Sequence, residues 1–296
     1  MALPASCVWE VRTTGDDTNG GGFNAARSGT DYSQQDAAQL SLTDLACASN
    51  TTLTSATGGF TAAMVGNIIQ IASGTNAAAG FYEVTAYTDT NTVTIDRTCA
   101  SGGNMTDGVG KLGGALATPG KAATPMIAGN TLWIKYSASA YPVAATIQLA
   151  QVGSYSAPTR IQGYDSSRGD FTANRPTLQA TANDVTILNP YNTCAYLTIA
   201  NLIVDGNSGS YTGTQGIMGS ASSAWPMRVH IYKCRAINCN GAGGIGMVAQ
   251  GSVIDSCEAI DCGSSTKGIY SHLNNAGAPI VMNCYADSCG VGFQTE

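Results

Sequence analysis

The chain has 296 residues, 11% of them charged, with 36 glycines and a formal net charge of −6 at pH 7. Only 13 residues are Lys or Arg, so the composition offers no basic surface for a nucleic-acid backbone. No 18-residue apolar run and no basic amphipathic stretch occurs either, so neither membrane insertion nor membrane-surface binding is expected. The N-terminus lacks the basic and apolar regions of a signal peptide, which predicts folding in a cytosol unless a leader has been lost.

Residues 1–36 predict a short strand at residues 8–12 and a polar, glycine-rich lead-in loop at residues 14–22. Asp16, Asp17 and Asn19 in this loop carry oxygen atoms of the kind that bind calcium, but the spacing lacks the twelve-residue frame of an EF-hand. Asp, Asn and Gly are also the residues that tight turns use, so a plain turn is the favoured interpretation. No other metal site and no cofactor is predicted.

Residues 37–98 predict a separate small β domain, inserted after the first strand. Its strand-like runs at residues 39–43, 67–72, 81–87 and 92–96 are separated by clusters of Asn, Gly, Asp and Thr. Residues 99–130 are rich in glycine and then weakly helical at residues 121–128. A short helix here would cap the open end of a stacked fold.

The last third of the chain contains a repeated pattern. Residues 231–239, 254–262 and 281–289 each place a Cys three positions after an aliphatic residue, then Ala two later and Cys three later. The first cysteines are 23 and then 27 residues apart, and residues 199–207 fit the same frame without cysteine. Self-similarity at this period indicates a solenoid.

The spacing inside a repeat indicates which solenoid forms. Same-face residues of a strand lie two apart, so each three-residue step marks a corner between short strands. The strands predicted between residues 131 and 296 are connected in this way. The pattern therefore predicts a right-handed parallel β-helix. Arg235, Glu258 and Tyr285 share one outward position, and side chains of neighbouring coils stack about 4.8 Å apart.

Six cysteines occupy the repeat frame: Cys234, Cys257 and Cys284 in one column, and Cys239, Cys262 and Cys289 in another. The favoured prediction is two ladders of buried, reduced thiols that act as small apolar side chains. Disulfides between coils remain an alternative, because about 4.8 Å is inside the Cα separation that a disulfide tolerates. Zinc is disfavoured because the paired cysteines face different walls of the coil.

These coils resemble the repeats of the pectate-lyase-like superfamily over residues 131–296, and residues 113–135 resemble the capping helix and first coil of such proteins. Residues 31–36 and the small β domain resemble a module of phage structural proteins. The family contains polysaccharide lyases and hydrolases, phage tailspikes and fibres, and secreted adhesins, and the fold alone does not choose among these functions.

Catalytic members of the family use clustered carboxylates or a basic residue, whereas the repeats here place no two carboxylates at the same outward position on neighbouring coils. The isolated ionisable residues are Asp205, Asp255, Glu258, Asp261, Asp287, His230, His272 and Lys267. Turn and surface functions are therefore predicted for them, with no catalytic residue. Four aromatic residues are candidates for stacking on sugar rings: Trp225, Tyr232, Tyr270 and Tyr285.

The sequence thus predicts a non-enzymatic virion structural protein: a tail fibre, tailspike or head fibre assembled in the host cytoplasm. The resemblance implies a homotrimer, contacts with other virion proteins through residues 1–130, and binding of a host surface polysaccharide. Glu296 falls inside a coil, so we expect the protein to continue or another subunit to cover that end. Two alternatives remain: a polysaccharide lyase or glycoside hydrolase whose active part lies beyond residue 296 or on long loops, and a secreted adhesin.

Overall fold

The computed structural model describes residues 3–191, 194–219, 227–247, 251–263, 266–271 and 279–295. It divides into two compact units, Met1–Asn130 and Thr131–Glu296. Strands dominate both units, and those of the second unit pair in parallel with one another. The predicted all-β class with parallel sheets is therefore confirmed.

The first unit begins with two strands, β1 (Cys7–Val11) and β2 (Gly22–Asn24), which pair antiparallel. Trp9 of β1 is fully buried, and its indole Nε1 donates a hydrogen bond of 3.1 Å to Oδ1 of Asn130. The same Oδ1 accepts from the backbone N–H of Ile127, while Nδ2 of Asn130 donates to the carbonyls of Pro4 and Ala5. One buried amide thus ties together both ends of this unit.

Six further strands of the first unit close into an antiparallel barrel, in the order β3–β4–β7–β6–β5–β8. They are β3 (Leu40–Cys47), β4 (Thr52–Ser55), β5 (Ile68–Thr75), β6 (Gly80–Asp89), β7 (Thr92–Ile95) and β8 (Met105–Leu112). Short 3-10 helices lie at Tyr32–Gln34 and Ala62–Met64. Buried aliphatic side chains fill the barrel core, among them Leu45, Ile69, Ile71 and Val84.

The barrel extends beyond residue 98, where the sequence analysis placed the end of this domain. Strand β8 pairs with both β3 and β5, so it closes the barrel. The sequence places these residues in a glycine-rich cap, because Gly108 and Gly110 interrupt the apolar pattern of β8. A Cβ atom at Gly110 would lie 2.8 Å from Cδ1 of Leu45 and 2.9 Å from the carbonyl oxygen of Gln70. Close packing thus requires glycine inside this strand.

The one α-helix of the described residues, α1 (Pro119–Ala123), starts earlier and is shorter than the helix predicted at residues 121–128. The Thr118 side chain caps it by accepting from the N–H of Lys121, and proline at the first helical position suits a helix start. Pro125 cannot donate a backbone hydrogen bond to prolong it. None of the helices in the described part of the chain has the length and hydropathy needed to cross a bilayer.

The second unit contains three parallel sheets, and each repeat contributes one strand to each sheet. Its strands are β9 (Thr131–Lys135), β10 (Tyr141–Val143), β11 (Ile147–Leu149), β12 (Thr159–Tyr164), β13 (Thr177–Ala180), β14 (Thr186–Pro190), β15 (Leu197–Ala200), β16 (Ile203–Asp205), β17 (Gln215–Met218), β18 (His230–Tyr232), β19 (Arg235–Ile237), β20 (Gly243–Met247), β21 (Val253–Asp255), β22 (Glu258–Ile260), β23 (Lys267–Ser271), β24 (Ile280–Met282), β25 (Tyr285–Asp287) and β26 (Val291–Thr295). The first sheet runs β9–β12–β15–β18–β21–β24, the second β10–β13–β16–β19–β22–β25 and the third β11–β14–β17–β20–β23–β26.

Equivalent apolar residues stack from repeat to repeat along each sheet. In the first sheet the register joins Leu132, Ile161, Ile199, Ile231, Ile254 and Val281. In the third it joins Ile147, Leu188, Ile217, Ile245, Ile269 and Phe293. The second sheet carries a ladder of smaller side chains, Val204, Ala236, Ala259 and Ala286. Except on the last rung, where Phe293 is 51% exposed, these ladders form the core of the second unit.

The register also confirms that Arg235, Glu258 and Tyr285 occupy equivalent positions on neighbouring repeats. Nε of Arg235 lies 3.5 Å from Oε2 of Glu258, so the two opposite charges that share this position form an ion pair. Both side chains are more than one-third exposed, so solvent screens the pair and its contribution is a few tenths of a kcal/mol.

Residues with left-handed backbone conformation mark the corners between sheets. Between the first and second sheets they are Asn201, Lys233, Ser256 and Asn283, and between the second and third they include Asn238, Asp261 and Ser288. A third series, before the strands of the first sheet, is Tyr196, Arg228 and Gly251. One left-handed residue turns the chain sharply, which explains the three-residue step from the aliphatic residue to the first cysteine.

Candidate functional site

Three of the four predicted sugar-stacking residues are described, and they lie in three different sheets. Tyr232 lies in the first sheet, Tyr285 in the second and Tyr270 in the third. Tyr285 is 55% exposed, whereas Nζ of Lys267 lies over the Tyr270 ring, 3.9 Å from its centroid. Trp225, the fourth candidate, lies outside the described residues. These aromatic side chains therefore do not form a single binding surface.

Tyr232 instead packs with a residue that the sequence analysis did not single out. The Phe171 ring meets it edge-on, with centroids 6.0 Å apart, and the centroid of the His230 ring lies 5.6 Å from that of Tyr232. Nζ of Lys233 lies 5.3 Å from the Tyr232 centroid and 5.7 Å from the Phe171 centroid. Burial lowers the pKa of His230, and the charge of Asp255 acts in the opposite direction. At neutral pH this imidazole is mostly uncharged.

Phe171 reaches Tyr232 from a loop that is stabilised by Asp170. Although burial opposes its ionisation, backbone N–H groups of Asp165, Ser167 and Ser166 bind the Asp170 carboxylate and lower its pKa to about 2. The donor–acceptor distances are 2.7 to 2.9 Å. In the sequence this loop is marked only by its polar residues, and no pattern links it to Tyr232. The contact between Phe171 and Tyr232 arises in the tertiary structure, so the sequence does not predict it.

The carboxylates of the repeats bind neighbouring side chains. Oδ2 of Asp205 accepts from Gln179, and its Oδ1 accepts from Asn238 of the next repeat and from the backbone N–H of Asn207. The turn that the sequence predicts at Asp205 is thus present. The register places Gln179 and Ile237 beside Asp205 in the sheet, so no second carboxylate stands next to it.

The other two outward carboxylates are engaged in the same way. Asp255 accepts from Asn283 and Ser256, and these hydrogen bonds lower its pKa. Glu258 contacts Arg235 at 3.5 Å and Arg175 at 3.9 Å. Each carboxylate thus contacts residues on another rung of the sheet or on a loop, rather than a second carboxylate.

Two further acidic residues, Asp261 and Asp287, adjoin each other on neighbouring rungs, where the backbone N–H of Asp261 donates to the carbonyl of Asp287 at 3.1 Å. Asp261 sits at a corner with φ 53°, and the register sets Asp287 beside Ile260. The remaining ionisable candidate, His272, lies outside the described residues. Within the described part of the chain, no group of three or more His, Cys, Asp or Glu side chains is arranged to hold a metal ion.

The three calcium candidates of the lead-in loop point to different partners. Asp16 binds Nζ of Lys111 at 2.8 Å, and hydrogen bonds from Lys111 and Thr18 lower its pKa to about 2. Asp17 accepts from the backbone N–H groups of residues 117 and 118 and from the Thr118 hydroxyl. The Asn19 amide donates to the carbonyl groups of residues 36 and 115. These contacts fix the loop, and they leave no shared oxygen cluster for calcium.

All ten cysteines lie among the described residues and are free thiols, with the repeat cysteines stacked in two columns. The four on the inner rungs, Cys234, Cys239, Cys257 and Cys262, are buried, whereas Cys284 and Cys289 are half-buried. The contact between the Cys239 and Cys262 thiols raises the pKa of Cys239 and lowers that of Cys262 to about 7. Neither of these two side chains is exposed, so reagents have no direct access to them.

A surface notch at the third corner series is a second feature that the sequence did not reveal. A cavity of about 290 Å³ is lined there by Tyr196, Met227, Arg228 and Gly251. The Arg228 guanidinium carbon lies 4.9 Å from the centroid of the Tyr196 ring. Arg228 is exposed and forms no ion pair with any described carboxylate. No repeat motif marks these positions, because the three residues share a backbone conformation and not a residue type.

Comparison with known proteins gives weak structural likenesses only. No protein-family model and no curated protein matches the chain. Among solved structures, a GH87 alpha-1,3-glucanase catalytic domain in complex with nigerose is 14% identical with a TM-score of 0.29, covering 88% of this chain and 52% of that one. A variant of such a domain in complex with tetrasaccharides is 13% identical with a TM-score of 0.27, covering 84% and 60%.

The tailspike protein gp49 from Pseudomonas phage LKA1 is 12% identical with a TM-score of 0.22, covering 86% of this chain and 60% of that one. The chain thus spans between half and two-thirds of the length of these proteins. Likenesses this distant do not assign a family.

Proposed function

We propose that the chain is a virion structural protein of the fibre or tailspike type, whose second unit is a right-handed parallel β-helix with a surface that recognises host glycans. In this proposal the first unit supplies the attachment to the particle, and three copies associate. The three parallel sheets and their continuous apolar ladders support the β-helix, because each repeat adds one strand to each sheet.

The main support for a structural function is that the carboxylates of the repeats bind other side chains of the chain. Asp205, Asp255 and Glu258 each bind side chains on another rung or loop. A glycoside hydrolase needs two carboxyl groups that face each other across the scissile bond, about 5 to 9.5 Å apart. The register supplies no such neighbouring pair among these three residues. This favours a structural function, in which the carboxylates connect strands and loops, and disfavours an enzymatic function.

The barrel is a candidate for attachment because it is a closed element whose first and last strands meet. Leu40 and Leu112 are partners in the register, and the N–H of Gln39 donates to the carbonyl of Leu112 at 2.9 Å. The chain therefore enters and leaves the barrel at adjacent positions, as an inserted domain does. A variant that lacks residues 40–112, with the gap closed by a short glycine linker, tests this assignment. The deletion also removes the contacts of Glu83 with Asn24 and Arg27 and of Phe81 with Trp9, so the fold of the variant is measured separately.

Analysis of particles made by the virus that encodes the chain tests this proposal. Mass spectrometry of purified particles should detect the protein, and immunogold labelling should place it on the outside. Particles made with the barrel deletion should lose it, whereas circular dichroism of the purified variant should retain the β signal of the second unit. The proposal fails if purified particles do not contain the intact protein.

If purified particles carry the variant without the barrel at normal occupancy, the structural function stands but the barrel is not the attachment site. A matched control deletes residues 165–170, a loop of the second unit, and should leave occupancy unchanged. This pair separates loss of attachment from a general defect in assembly.

A further inference from the structure

We propose that Cys47 and Cys99, in the core of the barrel, are an oxidation site: a small-molecule disulfide such as oxidised glutathione converts them into a disulfide bond that holds the barrel closed. In the reduced chain both residues are free thiols with 0% exposure, and both belong to the same apolar core. The bond concerns the folded barrel alone, so it does not depend on attachment to a particle.

The two thiols meet in the core from different strands. Cys47 is the last residue of β3 and lies beside Met105 of β8 in the register. Cys99 follows β7, and its carbonyl accepts at 2.8 Å from the N–H of Ala78, which lies between β5 and β6. The Cys47 thiol contacts the Cys99 thiol, and its Sγ lies 3.8 Å from Oγ1 of Thr98. Side chains that meet in this way have the mutual orientation that a disulfide needs.

The cysteine columns of the second unit are arranged differently. Their members stack one repeat apart, as the hydrogen bond of 3.0 Å from the N–H of Glu258 to the carbonyl of Cys234 shows. Parallel pairing spaces stacked Cβ atoms about 4.8 Å apart. A disulfide needs about 3.5 to 4.5 Å between its Cβ atoms, so a bond between repeats would compress the ladder. We therefore expect oxidation at the barrel pair first.

Cys47 is the thiol that reacts first. Its Sγ donates to the carbonyls of Ala48 at 3.4 Å and Asn50 at 3.3 Å, in the exposed turn between β3 and β4. Local opening of this turn uncovers Cys47 while the strands stay paired. Burial, together with the contact to Cys47, raises the pKa of Cys99 to about 12, so very little of Cys99 is thiolate at pH 8.

The oxidation proceeds by two thiol–disulfide exchanges. The Cys47 thiolate attacks one sulfur of oxidised glutathione, forms a mixed disulfide and releases one glutathione thiolate. Cys99, as a thiolate, then attacks the Cys47 sulfur, and the second glutathione thiolate leaves. The two cysteine protons pass through solvent to the two glutathione thiolates. Two thiols are thus oxidised, and one molecule of oxidised glutathione is reduced to two of glutathione.

The bond reinforces an irregular seam of the barrel. Two register shifts interrupt the pairing of β3 with β8, one between Leu42 and Leu45 and one between Leu45 and Cys47. Cys99 precedes β8 by a short connection, so a bond to Cys47 ties the entrance of β8 to the end of β3. Because β8 closes the barrel by pairing with β3 and β5, we expect the oxidised barrel to open less often than the reduced one.

The test is peptide mapping of the full-length protein, first reduced and then treated with excess oxidised glutathione at pH 8. Trypsin separates residues 28–97 from residues 98–111, and each peptide contains one cysteine, Cys47 or Cys99. We expect these two peptides to be linked within one chain, at least about tenfold faster than any link between repeat cysteines forms. No link between them, or earlier links between repeat cysteines, overturns the proposal.

Three variants separate the two thiols. Cys99→Ala should stop at a glutathione adduct on Cys47, whereas Cys47→Ala should leave Cys99 unmodified. Cys7→Ala, which removes another buried cysteine of the same unit, is the control and should form the link like the unmodified chain. Circular dichroism checks the fold of each variant. Rapid modification of Cys99 in folded Cys47→Ala contradicts the order of reaction, and the linked peptide of the unmodified chain decides the proposal where a variant does not fold.

Hydrogen exchange measures whether the bond holds the barrel closed. Amide exchange in β3 and β8 should slow at least about tenfold after oxidation and recover after reduction, while β18 and β21 of the second unit should not change. Equal exchange of β3 and β8 in the oxidised and reduced chains would show that the bond does not restrain the barrel.

Discussion

The barrel and the parallel sheets are both built from short strands, but they specify their pairing differently. In the second unit each residue lies beside its own counterpart one repeat away, as Ile199, Ile231 and Ile254 do. In the barrel, antiparallel neighbours come from unrelated segments, and the pairing of β3 with β8 shifts register twice. Sequence periodicity therefore reveals parallel stacking directly and says little about a closed antiparallel barrel.

The largest expected change in the free energy of unfolding comes from truncating one buried side chain in an apolar ladder. Ile231 is fully buried between Ile199 and Ile254, so Ile231→Ala should lower the free energy of unfolding by about 3 kcal/mol. Ile237, which lies in the second sheet and is only half-buried, provides the control. Ile237→Ala should cost less than about 1 kcal/mol by chemical denaturation, and equal losses for the two variants would contradict the ladder account.

In the first unit the most destabilising substitution is expected at a single side-chain amide, that of Asn130, and not at a repeated position. Asn130→Ala removes four hydrogen bonds that connect Trp9, Ile127 and the carbonyls of Pro4 and Ala5. Since it leaves buried partners unsatisfied, unfolding should become easier by about 2 to 3 kcal/mol. Thermal denaturation followed by Trp fluorescence measures this loss. Asn104→Ala, at an exposed position of the same unit, should change little; a similar loss there would refute the prediction.

The two units differ in how much of them the sequence alone predicted. The repeat frame, its register and the pair of Arg235 with Glu258 follow from spacing. A left-handed residue such as Lys233 gives the last four corners between the first and second sheets the same length. Strand β8 was missed because Gly110 is dictated by contacts from other strands. Phe171 and the notch at Arg228 were missed for a similar reason: loop conformation brings their partners together, and no motif encodes it.

The cysteine columns provide a chemical test of the same comparison. In native protein at pH 8, the four buried thiols of the ladder should react far more slowly with a disulfide reagent than the half-buried pair, Cys284 and Cys289. Cys7, Cys99 and Cys194 are buried as well, and burial raises their pKa to about 12, so these three should also react slowly. In denaturant without reductant, all ten should titrate. Three linked pairs among the repeat cysteines would establish disulfides instead.

The smallest expected effect concerns the pH dependence of the lead-in loop. The pKa of Asp16 is about 2 in the folded chain, against an ordinary value of 3.8. Its folded pKa is depressed, so its contribution is present above about pH 4 and is lost as the pH falls towards 2. The carboxylate is 50% exposed, so solvent screening limits this contribution to a few tenths of a kcal/mol.

Asp16→Asn should therefore flatten the fall of stability between pH 4 and pH 2 slightly, as measured by urea denaturation. Asp107→Asn, an exposed substitution in the same unit at a left-handed position that asparagine tolerates, is the control. A steeper fall in Asp16→Asn than in the unmodified chain would mean that the ion pair with Lys111 does not stabilise the fold.

The most direct test of the central claim is whether the chain breaks glycosidic bonds. The unmodified protein and a variant carrying Asp255→Asn, Glu258→Gln and Asp261→Asn are incubated with acidic and neutral polysaccharides. Reducing ends and unsaturated products are then measured. If these carboxylates only connect rungs and turns, neither protein produces fragments above background, and the variant is only slightly less stable. Cleavage by the unmodified protein, above all cleavage that the variant loses, would contradict the account and identify an enzyme.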